Sequence, residues 1–239
     1  MEKTAQKIIR SFDGAALGYD AQASLQKQVA AELVACVGSA APQSILDIGC
    51  GTGLVSEQAA RTWPFARLTA LDAAPAMATA MQQKFPEACV LVANAEQIPL
   101  RADFDLVLSS MMLHWLPDPL RAVETWKKLV APCGRLAIAV PVEGSLAEWK
   151  RTCREAGVVD RVWPFPKAAP LAQLASSSWV LPVERTYESA QAFLNSMKFT
   201  GADSGHPSLP PMAPAALRRA LRYSPRPFTA TYRILYLLV

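Results

Sequence analysis

No apolar run in this 239-residue chain reaches the roughly 18 residues that a membrane-crossing helix needs. The N-terminus, MEKTAQKIIRSF, is charged and amphipathic and lacks the apolar stretch of a signal peptide. Histidine is scarce: His114 and His206 are the only two. The five cysteines (Cys36, Cys50, Cys89, Cys133 and Cys153) are scattered, with no C-x-x-C pair. A Cys/His metal site needs four close ligands, so no metal is expected. An odd number of dispersed thiols fits reduced cysteines in a cytoplasmic protein. Acids run out as well: none follows Asp203, whereas Arg218, Arg219, Arg222, Arg226 and Arg233 do.

Half the residues are hydrophobic (51%) and 18% are charged, enough for a substantial core in a single domain spanning 1–239. Charge is unevenly placed. Residues 1–140 hold 12 Lys+Arg and 13 Asp+Glu, whereas residues 141–239 hold 12 and 7, a net of +5. A basic second half suits an acidic partner or an anionic substrate, and equally an ordinary solvated surface. No nucleic-acid-binding module or aromatic-basic stacking motif accompanies the arginines, so neither nucleic acid nor membrane is expected as a partner. The expected state is a monomer.

From Ser44 to Val140 short apolar runs alternate with helical stretches. Strands are predicted at Ser44–Ile48, Arg67–Leu71, Cys89–Ala93, Phe104–Ser109 and Arg135–Val140, nearly continuous in apolar residues as buried parallel strands are. Helices are predicted at 53–62, 75–84 and 118–130, with Pro75 and Pro119 in first turns and Pro132 and Gly134 ending the third. Such alternation implies an α/β fold with a doubly wound sheet. A helix is predicted at 145–156, a Pro-rich connector at Trp163–Pro170, and a strand near Trp179–Arg185. A helix near Tyr187–Met197, a loop over Gly201–Pro214 and a last strand at Phe228–Leu238 complete the pattern.

The first strand runs into Asp47-Ile48-Gly49-Cys50-Gly51-Thr52-Gly53, a glycine-rich turn that opens a helix and lets backbone approach a ligand closely. Asp72 ends the second strand, where an acid can accept hydrogen bonds from two ribose hydroxyls. A glycine turn alone suits a nicotinamide cofactor too. The D-x-G-x-G-x-G form resembles motif I of class I S-adenosylmethionine (SAM)-dependent methyltransferases, and so implies their Rossmann-like, seven-stranded sheet and SAM as cofactor. In such a site Asp47 meets the cationic amino-acid portion, with Gly49, Gly51, Gly53, Asp72 and Ala73 around the ligand. Asn94 and Ala95 lie against the adenine, where the class commonly has an acid at the Asn94 position. The stretch from Asp103 through Ser109 to Trp115 closes over the sulfonium side.

Before the first strand, Phe12, Ala16, Tyr19, Ala23 and Gln26 fall at helical spacing on one face. That pattern suits a helix laid over a ligand and also plain helix packing. The run Phe12-Asp13-x-Ala15-Ala16-x-x-Tyr19-Asp20-x-x-Ala23-x-Leu25-Gln26 resembles the N-terminal signature of the malonyl-acyl-carrier-protein O-methyltransferases of biotin synthesis. Glu143-Gly144-Ser145-Leu146 with Glu148, Phe193 through Ala202, and Thr231 through Tyr236 resemble later segments of the same family. His114 stands where the family often has glutamine, and Leu116 where cysteine is common.

The resemblance implies methyl transfer from SAM to the free carboxylate of a malonyl thioester on acyl carrier protein. The ester then lets fatty-acid elongation treat the product as a primer. It implies an N-terminal helical cover at 1–40 and a lid insertion at 145–178. Tyr19, Arg151 and Arg154 are the candidate catalytic residues, the arginines because a buried carboxylate is best matched by a guanidinium fork. Both are equally at home as solvated helix charges. Phe12, Gln26, His114 and Trp115 are candidate substrate contacts. Two readings remain beside this one: an O-methyltransferase of a free small carboxylic acid or other small molecule, separable by comparing free malonate with the carrier-bound form, and a SAM-binding partner without turnover.

Overall fold

The computed structural model describes residues 2–38, 40–100, 103–202 and 205–239. The chain opens with helices α1 (Glu2–Ala15), α2 (Tyr19–Gln22) and α3 (Ser24–Cys36). Then β1 (Ser44–Ile48), α4 (Leu54–Thr62), β2 (Arg67–Asp72), α5 (Pro75–Lys84), β3 (Cys89–Val92) and β4 (Phe104–Ser110) alternate. A 3-10 turn at Leu113–Trp115 precedes α6 (Pro119–Lys127) and β5 (Val130–Pro141). The remainder is α7 (Ala147–Glu155), α8 (Ala168–Ala172), β6 (Ser177–Tyr187), α9 (Ala190–Phe199), α10 (Pro214–Tyr223) and β7 (Phe228–Leu238).

The seven strands form one sheet in the order β3-β2-β1-β4-β5-β7-β6; β7 runs antiparallel to both its neighbours and the other pairs are parallel. Successive strand residues point to opposite faces, and here both faces are buried. Ile45, Ala137, Ala139, Ile234 and Tyr236 enter one core with α3 and α4. Leu46, Leu136, Ile138, Leu235 and Leu237 enter the other with Val123 and Trp126 of α6. This is the doubly wound, Rossmann-like sheet. Its order reverses between β1 and β4, where such sheets open a crevice at the carboxyl ends of the strands.

Three local expectations change. The helical face from Phe12 to Gln26 is not one helix: α1 stops at Ala15, Gly18 precedes α2, and Ala23 separates α2 from α3. Glycines 14 and 18 weaken the intervening turn, which closes instead through Gly18 N–H to the Ala15 carbonyl at 3.1 Å. The third helix ends at Lys127, and Pro132 and Gly134 lie inside β5. There the β4–β5 register shifts, and a Cβ at Gly134 would sit 2.8 Å from the Phe104 carbonyl oxygen, so the residues mark an irregular strand rather than a helix stop. Finally, Tyr187 still pairs with Phe228 in the sheet, and α9 begins later because Ser189 caps it by accepting from Ala192 N–H. Asp203 and Ser204, within the expected 201–214 loop, lie outside the described residues, as do Met1 and Ser39 in the 1–40 segment.

Candidate active site

The glycine-rich turn sits on the carboxyl end of β1. Gly49 and Cys50 donate to the Leu71 carbonyl at 2.8 and 3.0 Å, and Gly51 donates to Oδ2 of Asp72 at 2.9 Å. Gly49 and Gly53 have φ of 71° and 87°, and a Cβ on either would collide with the side chain of Met112 or Met81, so glycine is required twice over. Asp72 takes Ala74 N–H on Oδ1 at 2.8 Å, which leaves a lone pair on each oxygen for further donors. Burial raises its carboxyl above the usual range.

Beside this turn lies a cavity of about 190 Å³. Of the candidate cofactor contacts, Gly49, Gly51, Asp72, Ala73, Asn94 and Ala95 line it. Three expected residues do not. Asp47 is fully buried beneath the turn, with Oδ2 held by Ser56 Oγ at 2.7 Å and Oδ1 without a partner; burial lifts its carboxyl to about 7. Gly53 caps α4, and Ser109 donates to the Ile48 carbonyl at 2.9 Å within the sheet. Its neighbour Ser110 lines the cavity instead, with an unpartnered buried hydroxyl. The strand's alternation explains this, since adjacent side chains face opposite ways. The Asn94 side-chain oxygen accepts Glu96 N–H at 2.9 Å, so it is partly engaged by its own turn.

A larger cavity of about 520 Å³ adjoins it. Phe12, Tyr19, Met111 and Trp115 line both, so these four side chains mark where the two spaces meet. Tyr19 is 9% exposed, and burial raises its phenol, so it remains a protonated donor. Met111 holds a left-handed backbone at φ 56°, a strained conformation for a residue other than glycine. The Phe12 and Trp115 rings meet edge to face at 5.7 Å, and Trp115 lies 4.8 Å from Trp163, giving an aromatic wall.

Gln26 and His114, the other candidate substrate contacts, line the larger cavity. Arg151 and Arg154 do not: both are exposed on α7, whose buried face is Trp149, Thr152 and Cys153. The arginine that lines this cavity is Arg161, which the sequence reading passed over because it lies in the connector after α7. Its Nε donates to the Pro210 carbonyl at 2.7 Å and its Nη1 to the carbonyls of Val159 and Asp160 at 3.0 and 3.2 Å. Those bonds fix the guanidinium and leave Nη2 available. Lys7 and Lys198, both exposed, stand at the same cavity's edge. Helix α7 is pinned to β7 by Glu148, which accepts from Thr231 N–H at 3.1 Å and Thr231 Oγ1 at 2.6 Å.

Residues 46–138 match the family model described as a methyltransferase domain. The malonyl-[acyl-carrier protein] O-methyltransferase of Magnetococcus marinus is 30% identical over 238 residues, covering 93% of this chain and 88% of that protein. The protein of the same name from Pseudescherichia vulneris is 32% identical over 206 residues, covering 83% and 80%. Among solved structures, the N-methyltransferase NodS of Bradyrhizobium japonicum, in complex with S-adenosyl-L-homocysteine, superposes with a TM-score of 0.55 at 18% identity, covering 97% of each chain. Sheet order, glycine turn and end-to-end sequence likeness agree: this chain belongs to the malonyl-[acyl-carrier protein] O-methyltransferase family.

Proposed function

We propose that this chain transfers the methyl group of SAM to the free carboxylate of a malonyl group carried on acyl carrier protein, an early step of biotin synthesis. The observation that supports it most is the pair of cavities meeting at Phe12, Tyr19, Met111 and Trp115, one at the glycine turn and the other far larger than malonate alone requires. The groups lining the smaller cavity, with Asp47 beneath the turn, suit SAM. Asp72 has lone pairs for ribose hydroxyls, Ala73 and Ala95 offer apolar surface to a base, and the orphaned Asp47 oxygen favours a cation nearby. SAM supplies an electrophilic methyl on a sulfonium.

The residues of the chain bind, orient and exclude water. A carboxylate is already ionised at neutral pH, so no general base is needed. Holding the reacting atoms in line at about 3–3.5 Å supplies about 7–11 kcal/mol of the barrier. Tyr19 donates its O–H at the junction. Nη2 of Arg161 pairs an anionic oxygen of the substrate, the role first expected of Arg151 and Arg154, which are exposed on α7 and do not line the cavity. Phe12, Trp115 and Trp163 dry the junction, which strengthens the attraction between carboxylate and sulfonium. Segment 1–40 acts as the cover, through Ile8, Ile9 and Phe12, and 145–178 as the lid, through Trp149, Arg161 and Trp163.

The test is incubation of the purified protein with methyl-labelled SAM and malonyl carrier protein, read by intact mass. A single methyl ester on malonyl carrier protein, absent with acetyl carrier protein and slow with free malonate, is the expected result. Equal turnover of free malonate would sink the carrier-protein reading.

A further inference from the structure

His114 is 6% exposed and lines the larger cavity, and its Nδ1 is shut off from solvent without a hydrogen-bond partner. The ring packs against Trp115 at 4.6 Å and Phe165 at 5.5 Å, while the His114 carbonyl accepts Trp163 Nε1–H at 2.8 Å. Turn, carbonyl and aromatic neighbours together fix the ring. Burial pushes its pKa down to about 3, so the imidazole is neutral wherever the enzyme works. A neutral imidazole carries one N–H. Nδ1 has no acceptor to meet, so the proton belongs on Nε2, the ring nitrogen on the side left to the cavity. With Nδ1 sealed off, Nε2–H is the donor that a residue on the wall of a ligand cavity can offer to an acceptor on the ligand.

Trp115, the next residue, lines both cavities, so His114 stands beside the junction where the malonyl carboxylate must lie to reach the methyl group. Nη2 of Arg161 already supplies positive charge to the substrate in this cavity. A neutral donor adds direction to the carboxylate without adding further charge. We propose that Nε2–H of His114 donates to the oxygen of the malonyl carboxylate that does not attack, aiming the other at the methyl group. The assignment rests on the substrate reading above and names the group that selects malonyl over acetyl at that end of the cavity.

Glutamine places an amide N–H as many bonds from the backbone as Nε2, whereas asparagine reaches only as far as Nδ1. His114→Gln therefore restores most of the rate that His114→Ala loses, and His114→Asn does not. Expected losses in kcat/KM on malonyl carrier protein for Ala and Asn are about 10- to 100-fold, the scale of a hydrogen bond to a charged group. They fall mainly on kcat, with SAM affinity by calorimetry unchanged in all four proteins. In the unaltered enzyme, imidazole ¹⁵N spectra at pH 6–8 should show a single protonated Nε2, whose signal moves when malonyl carrier protein is added with S-adenosylhomocysteine. An undiminished His114→Ala, equal behaviour of Asn and Gln, or a ring signal indifferent to substrate overturns the proposal. Absence of any transfer by the unaltered enzyme overturns the substrate reading itself, and this proposal with it.

Discussion

The Asp20 carboxylate accepts the Thr52 hydroxyl at 2.5 Å across 32 positions of sequence, and through it α2 is fastened to the glycine turn. Its second oxygen takes Lys84 Nζ at 2.8 Å. Tyr19 is the adjoining residue, so one carboxylate sets the distance between the donor at the junction and the turn that faces the cofactor. Asp20→Ala should weaken SAM binding several-fold while lowering the melting temperature little. The pair with Lys84 is partly exposed and screened, worth about 1 kcal/mol at most. Calorimetric SAM titration beside a thermal melt checks this, and a large loss of stability with unchanged SAM affinity contradicts it.

Tyr19→Phe keeps the ring between the cavities and removes only the hydroxyl. If that hydroxyl orients the substrate, kcat falls about 10-fold, the scale of one hydrogen bond to a charged acceptor. SAM affinity stays put. Steady-state kinetics of the variant with saturating SAM separates this from a packing role, in which both quantities would drift together with stability.

What the sequence makes legible follows from the reach of each signal. The central strands read directly because burial on both faces forces continuous apolar runs, as in Ser44–Ile48 with four of its five residues buried. The glycine turn and Asp72 read because backbone geometry restricts which residues fit. Residues of the N-terminal segment line both cavities, but spacing alone cannot register the break between its helices at Gly18. Helix α10 lay hidden behind a Pro-rich stretch that opens it at Pro214. The exposure of Arg151 and Arg154 has a related reason: amphipathicity identifies the polar face of α7 without saying what that face looks upon. Arg161 carried no local pattern at all, because loop closure against Pro210 puts it in the cavity.

Exchanging arginines tests that correction. Arg161→Ala should lower kcat/KM on malonyl carrier protein on the order of 100-fold, the scale of removing one partner of a desolvated charge pair. Arg161→Lys should recover only part, because it keeps the charge and loses the carbonyl bonds that hold the guanidinium in place. Arg151→Ala and Arg154→Ala should stay within about 2-fold, as exposed substitutions do. The reverse ranking would return the role to α7.

Asp47 gives the pH dependence. Its carboxyl lies at about 7 in the folded protein through burial, above the unfolded value near 4. A raised carboxyl favours the fold at low pH, so its contribution to stability declines as pH rises from about 4 to about 7 and is constant above. A cation seated by the turn lowers that value and expels the proton. SAM affinity should therefore rise from pH 6 to pH 8, by at most about tenfold per unit below 7. Asp47→Asn should flatten the dependence and weaken binding at pH 8. A Kd unchanged across the range in the unaltered protein would separate Asp47 from the ligand.

Charge on α10 bears on the carrier protein. Arg218, Arg219 and Arg222 are exposed, while Leu217 of the same helix lines the larger cavity. The exposed arginines thus share a helix with a residue of the cavity wall, and attraction to an acidic carrier acts on encounter more than on the bound state. Because exposed charges are screened over about 10 Å at 0.1 M salt, kcat/KM for malonyl carrier protein should fall steeply between about 0.05 and 0.3 M NaCl. Malonyl-pantetheine, which has the arm without the protein, should show little of that dependence. Arg218→Glu with Arg222→Glu should raise KM for the carrier substrate and flatten its salt response, leaving kcat and malonyl-pantetheine turnover unchanged. Equal salt curves for the two substrates would move carrier docking off α10.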